Sequence, residues 1–171
     1  MKKTVFPLAL ILLSLLANAQ SPYVSYEDST HKGTLILNGL ISKYILSNDE
    51  KDFKGYINSH NGYSATPTVL NAMEGAKGKY QFLIFGGTWC EDTQFILPKF
   101  FKLQEQSGIA DNDISFIVVT REKKSLGNLT HVFNIINVPT IIVLKEGKEV
   151  GRVVEYGKTG QWDKELAELL K

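Results

Sequence analysis

The sequence predicts an α/β fold in which short buried strands alternate with amphipathic helices around one core. Three observations carry this. The continuous apolar run from Phe82 to Phe85 closes on Gly86-Gly87, as expected of a strand covered on both faces. Apolar residues then repeat at helical spacing, with Ile96, Phe100 and Leu103 forming a stripe that Leu97 and Phe101 widen. The alternation continues, because Ile114 to Val119 reads as a second buried strand and Leu126 to Ile136 as a helix with Leu129, Val132, Phe133 and Ile136 on one face.

Taken from the start, residues 20–34 are polar, spotted with aromatics and without period, which predicts a loose lead-in. Leu35 to Leu46 fits a strand turning into a helix. Asn48-Asp49 offer caps for a helix carrying Phe53, Tyr56, Ile57 and His60 on one face. Thr66-Pro67 supplies a cap and a proline at the first helical position ahead of Val69, Leu70 and Met73, with Gly75 and Gly78 as the stop. After the first buried strand, a helix is predicted from about Cys90 to Gln106, kinked at Pro98. Near the end, Thr140 to Lys145 and Glu149 to Glu155 flank Glu146-Gly147-Lys148 as a hairpin, and Trp162, Leu166, Leu169 and Leu170 mark a closing helix with Trp162 in the core. From Lys79 the order is strand, helix, strand, helix, strand, strand, helix.

The chain has 171 residues, 43% hydrophobic and 22% charged, ordinary for one domain that closes its own core. Nineteen Lys and Arg stand against 18 Asp and Glu with no basic run longer than two residues, so no nucleic-acid partner is expected. The N-terminus says more. Lys2 and Lys3 precede an apolar run from Val5 to Leu16 and then Ala17-Asn18-Ala19, the small-x-small pattern of a signal peptide spanning 1–19 and cleaved after Ala19. That run falls short of the roughly 20 residues a membrane-spanning helix needs. The expectation is export to the periplasm or the extracellular space, with no stable membrane insertion after cleavage. With one cysteine, Cys90, no internal disulfide is possible.

Several landmarks recur in a fixed order: TWCEDT at the head of a helix, Pro98 eight places after Cys90, Val138-Pro139-Thr140 opening a strand, and VLKEGKEVGRVVEYGKTG as a closing hairpin with its glycine. In this the chain resembles the thioredoxin superfamily, and more narrowly exported bacterial thioredoxin-like proteins with an added N-terminal helical segment. The resemblance covers 79–171. It implies a three-layer α/β/α sandwich with a central mixed sheet, a thioredoxin-like core over 79–171, and an N-terminal extension over 20–78 packed on the same domain. It also implies a cis Pro139. Two positions depart from the family: its resolving cysteine falls at Thr93, and its buried acid falls at Ile84. A C-x-x-T motif cannot cycle an internal disulfide.

A thiolate is the attacking species in disulfide exchange, and the backbone N–H groups and positive dipole end of a helix N-terminus favour it at Cys90. The Thr93 hydroxyl, one turn on, is expected to hydrogen-bond the sulfur, while the negative charges of Glu91 and Asp92 oppose ionisation. The resemblance implies that Trp89, Val138, Pro139 and Tyr156 border the substrate groove, with Val138 offering backbone to an extended segment. Each residue also has a plainer reading: a lone cysteine is a small buried hydrophobe, and Thr93, Glu91 and Asp92 suit any first helical turn. His31, His60 and His131 lack metal-ligand spacing, and no cofactor or metal is expected.

The leading expectation is an exported thiol-disulfide oxidoreductase, reductase or isomerase, that forms a mixed disulfide through Cys90. Its partners would be disulfide- or cysteine-containing exported proteins and an external thiol donor. The rival from another class is a redox-silent module that uses the same groove to hold a peptide. A single-cysteine peroxidase is less favoured, because Gly87 stands where that pattern places threonine.

Overall fold

A six-stranded mixed sheet organises the described residues, which in this computed structural model are 21–49, 53 and 55–171. The leader expected at 1–19 lies outside them. The strands are β1 (Tyr23–Glu27), β2 (Leu35–Ile41), β3 (Tyr80–Gly86), β4 (Ile114–Val118), β5 (Thr140–Lys145) and β6 (Lys148–Val154). Their order across the sheet is β1-β2-β4-β3-β5-β6. Only β3 and β4 run parallel; the other neighbours are antiparallel. The helices are α1 (Lys43–Ser47), α2 (Tyr56–Asn61), α3 (Pro67–Ala76), α4 (Glu91–Ser107), α5 (Leu129–Val132) and α6 (Trp162–Leu169).

Alternation along β3 divides the core in two. Phe82 and Ile84 face a large cluster with Ile96, Leu97, Phe100 and Leu103 of α4, Met73 of α3, and Trp162 and Leu166 of α6. Leu83 and Phe85 face a smaller cluster with Ile117, Val119, Ile135, Val138 and Ile142. This is why β3 reads as an unbroken apolar run: both of its faces are covered. Phe82 and Phe100, each under 2% exposed, meet edge to face at 5.7 Å, and burying a ring of that size contributes about 1.5–3 kcal/mol. Local signals fix the helix starts. The Thr66 hydroxyl accepts from the Val69 N–H at 3.4 Å, with Pro67 in the first turn.

The structure corrects two expectations. The lead-in contains β1, which pairs with β2 from Tyr23–Gly39 to Glu27–Leu35. Only Tyr23 of its five residues is even partly buried, so the strand is held by backbone pairing and leaves no apolar alternation to read. Close approach is part of this hairpin, since a Cβ on Gly39 would sit 2.4 Å from the Pro22 carbonyl oxygen. The helix expected over 126–136 shrinks to the single turn of α5, because Gly127, Asn128 and Asn134 adopt left-handed φ of 70°, 60° and 51°. Val132 and Ile136, assigned to a buried face, are 63% and 77% exposed. Of the helix expected after Asn48-Asp49, the described part is Phe53 and α2.

Candidate active site

The parallel strands β3 and β4 end together at Gly86 and Val118, and the Val119 N–H donates to the Gly86 carbonyl at 2.9 Å. Chain leaving β3 must turn sharply to enter α4. Gly87 permits that turn, because a Cβ there would meet the Trp89 indole at 2.7 Å, and the Cys90 N–H closes it onto the Gly87 carbonyl at 2.9 Å. Cys90 thus becomes the N-cap of α4, with extended backbone (φ −93°, ψ 122°), and its carbonyl accepts from the Gln94 N–H at 3.0 Å. Its sulfur is half-buried.

Because β5 runs antiparallel to β3 and pairs Thr140 with Phe85, the loop before β5 returns to the same end of the sheet. There the Val138–Pro139 bond is cis, and the Cys90 Sγ–H donates to the Val138 carbonyl at 3.3 Å. The end of β6 is tied to the same loop by the Glu155 N–H, which donates to the Pro139 carbonyl at 2.7 Å. Next to it Tyr156, 37% exposed, packs against Phe95 at 5.9 Å, with the Asp92 carboxylate close enough to act on its phenol. Burial first, and then Asp92, pushes the phenol above its ordinary range.

Trp89, Cys90, Glu91 and Asp92 line one open cleft with a volume of about 490 Å³, and Val138, Pro139 and Tyr156 adjoin it through the contacts above. Thr93 departs from expectation. It is only 3% exposed, and its hydroxyl accepts from the Gly87 N–H at 3.1 Å, so it braces the turn beneath the sulfur; the bond that Sγ makes goes to Val138. Val138 is itself buried at 3%, and its carbonyl is taken up by Sγ.

The N-terminal hairpin supplies residues that sequence reasoning missed. The buried Thr88 hydroxyl accepts from the Leu37 N–H at 3.1 Å and donates to the Leu35 carbonyl at 3.0 Å, so it bridges the turn to β2. Gln94 closes over it, its side-chain amide donating to the Thr88 carbonyl at 2.7 Å. His31, Thr34, Gln94 and Arg121 complete the cleft. The Arg121 guanidinium lies 5.2 Å over the Trp89 ring and pairs with the buried Asp28 carboxylate through Nε at 2.6 Å and Nη2 at 2.5 Å. No spacing rule links Asp28 to Arg121; the only local signal was Thr30, whose N–H and hydroxyl both bond Asp28. Among the described residues no group of three or more His, Cys, Asp or Glu is placed to hold a metal ion, and no helix is long and apolar enough to cross a membrane.

A cis-proline loop meeting a helix-capping thiol at the end of a mixed sheet is the arrangement of the thioredoxin fold, carrying here one thiol where that arrangement has room for two. Comparison with known proteins agrees and goes one step further. The chain belongs to the thioredoxin family, whose profile, described as thioredoxin, matches residues 40–166. It is similar to thioredoxin-like protein CXXS2 of Arabidopsis thaliana, 30% identical over 77 residues that make up 45% of this chain and 46% of that protein. Against thioredoxin-like protein R548 of Acanthamoeba polyphaga mimivirus it is 29% identical over 76 residues, 44% of this chain and 53% of the relative. The chain therefore spans about half the length of the curated relatives it matches. Among solved structures it is similar to thioredoxin NaTrxh from Nicotiana alata, with a TM-score of 0.40 at 24% identity over 59% of this chain and 78% of that one.

Proposed function

We propose that the protein is an exported thiol-disulfide oxidoreductase working through Cys90 alone. One observation carries the reading: the family's active-site turn presents a half-buried sulfur in an open cleft, 3.3 Å from the main chain of the cis-proline loop. An extended substrate segment that replaces this contact and pairs with the Val138 main chain lies against Sγ. The Cys90 thiolate attacks one sulfur of a substrate disulfide; the Cys90–S–S–substrate bond forms, the substrate S–S bond breaks, and the released thiolate takes up a proton. For reduction, one external thiol attacks the Cys90 sulfur of the mixed disulfide and releases the second substrate thiol, and a second external thiol then displaces Cys90, leaving as an external disulfide. For isomerisation, another cysteine of the substrate attacks the substrate sulfur of the mixed disulfide, forming a new substrate disulfide and freeing Cys90. Residues 1–19, with Lys2-Lys3, the apolar run and Ala17-Asn18-Ala19, support export, and a bacterial periplasm suits this leader.

A redox-silent binding module is the second reading. Exposed Phe95, Val132, Ile136 and Tyr156 favour it, as apolar side chains suited to holding a peptide. Trapping separates the two. The chain without its leader is incubated with exported proteins, quenched in acid, and run without reductant. Adducts that disappear on reduction and in Cys90→Ala support exchange; peptides retained equally by wild type and Cys90→Ala support the binding module.

A further inference from the structure

Besides the head of α4, the Cys90 cleft is lined by the N-terminal hairpin and by Arg121 from the loop after β4, and its charges are arranged unequally. Among the described residues of the lining Arg121 is the one arginine or lysine, and His31 and Thr34 stand beside it. Behind it, Asp28 is 2% exposed and accepts from Arg121 Nε and Nη2 and from the Thr30 N–H and hydroxyl. The head of α4 carries Glu91 and Asp92. Arg121 thus enters the cleft with its charge already cancelled, while the two acids at the head of α4 have no cation of their own in the lining. Set beside the Asp28–Arg121 pair, which sums to zero, Glu91 and Asp92 make the described lining net acidic.

We propose that Asp28 is a specificity-determining residue of this cleft: by neutralising Arg121 it leaves Glu91 and Asp92 dominant. The cleft then accepts sulfur flanked by basic or neutral groups and disfavours thiols and disulfides that carry carboxylates. This rests on the reading of Cys90 as a nucleophile. The substrate class that follows is an extended cysteine-containing segment with lysine or arginine near its cysteine. Arg121 also stays fixed over Trp89, so the same pair shapes the rim and sets its charge.

The test compares alkylation of Cys90 by anionic iodoacetate and neutral iodoacetamide in the folded chain, each rate divided by that of a free peptide of residues 86–95 in which Glu91→Gln and Asp92→Asn remove the two acids. In wild type the iodoacetate-to-iodoacetamide ratio lies below that of the peptide and rises with added salt as the repulsion is screened. Asp28→Asn uncovers the Arg121 charge and raises the ratio roughly two- to fivefold at low salt. The double variant Asp28→Asn/Arg121→Gln restores the net charge and returns the ratio to wild type. A wild-type ratio at or above the peptide's, or one that salt leaves unchanged or lowers, overturns the proposal even if the variants do not fold. Inertness of Cys90 to iodoacetamide removes the nucleophile reading itself, and the selectivity proposal with it. Normal iodoacetamide reactivity with no charge discrimination removes the selectivity proposal alone.

Discussion

The Cys90 sulfur donates to the Val138 carbonyl across 3.3 Å, joining the head of α4 to the cis-proline loop. A carbonyl can accept from S–H but has nothing to donate to a thiolate, so this contact belongs to the thiol form and, in the proposed exchange, is given up before the sulfur attacks. It is one weak bond, and the sulfur is half-buried. Cys90→Ala is expected to change unfolding free energy by less than about 1 kcal/mol in urea denaturation while abolishing every mixed-disulfide adduct seen by intact mass.

Thr88 ties the turn to β2 by donating to Leu35 and accepting from Leu37. Thr88→Val keeps the shape and leaves the buried Leu37 N–H and the part-buried Leu35 carbonyl without their partner. A loss of about 2–4 kcal/mol is expected, with Thr88→Ser close to wild type. Chemical denaturation of the three chains checks the order.

Thr93 is a brace for Gly87 and, by its geometry, makes no bond to the sulfur. Thr93→Val strands the Gly87 N–H and is expected to cost about 1–3 kcal/mol, whereas Thr93→Ser retains the acceptor and costs less. The comparison is again by denaturant unfolding. Equal stability of the two variants would contradict the assignment.

Hydrogen bonds from Arg121 hold the Asp28 carboxyl well below the ordinary aspartate range, with Thr30 assisting and burial working the other way. The folded state therefore prefers the ionised form. Its stabilising contribution is complete above the unfolded aspartate value of about 4 and is lost as pH falls below it into the strongly acidic range. Unfolding free energy followed downward from about pH 6 should drop less steeply in Asp28→Asn than in wild type through this acidic window.

Much of the fold was legible because its signals are local. β3 is covered on both faces and reads as an apolar run, Thr66-Pro67 marks its own helix start, and the turn through Gly87 to Cys90 lies within a few residues. β1 was not legible, because it buries almost nothing and exists through pairing with β2. The segment after Leu126 imitates a helix in its apolar spacing, yet left-handed Gly127, Asn128 and Asn134 break it. At the site, Cys90 and its immediate neighbours came from the sequence. The partner of the sulfur did not: Thr93 sits at the expected helical spacing, but its hydroxyl is drawn inward by the Gly87 N–H, and Val138 fills the place from another strand. The Asp28–Arg121 pair joins residues far apart in the chain, a relation that no local pattern encodes.

The central claim is that Cys90 is a nucleophile held ready by the fold. The chain from residue 20 onward is mixed at neutral pH with a short disulfide-bonded peptide, quenched in acid at intervals, and weighed intact by mass spectrometry. A single peptide adduct mapping to Cys90, formed faster in the folded chain than in the same chain unfolded in urea, is the predicted result. Adduct formation no faster in the folded chain would contradict it.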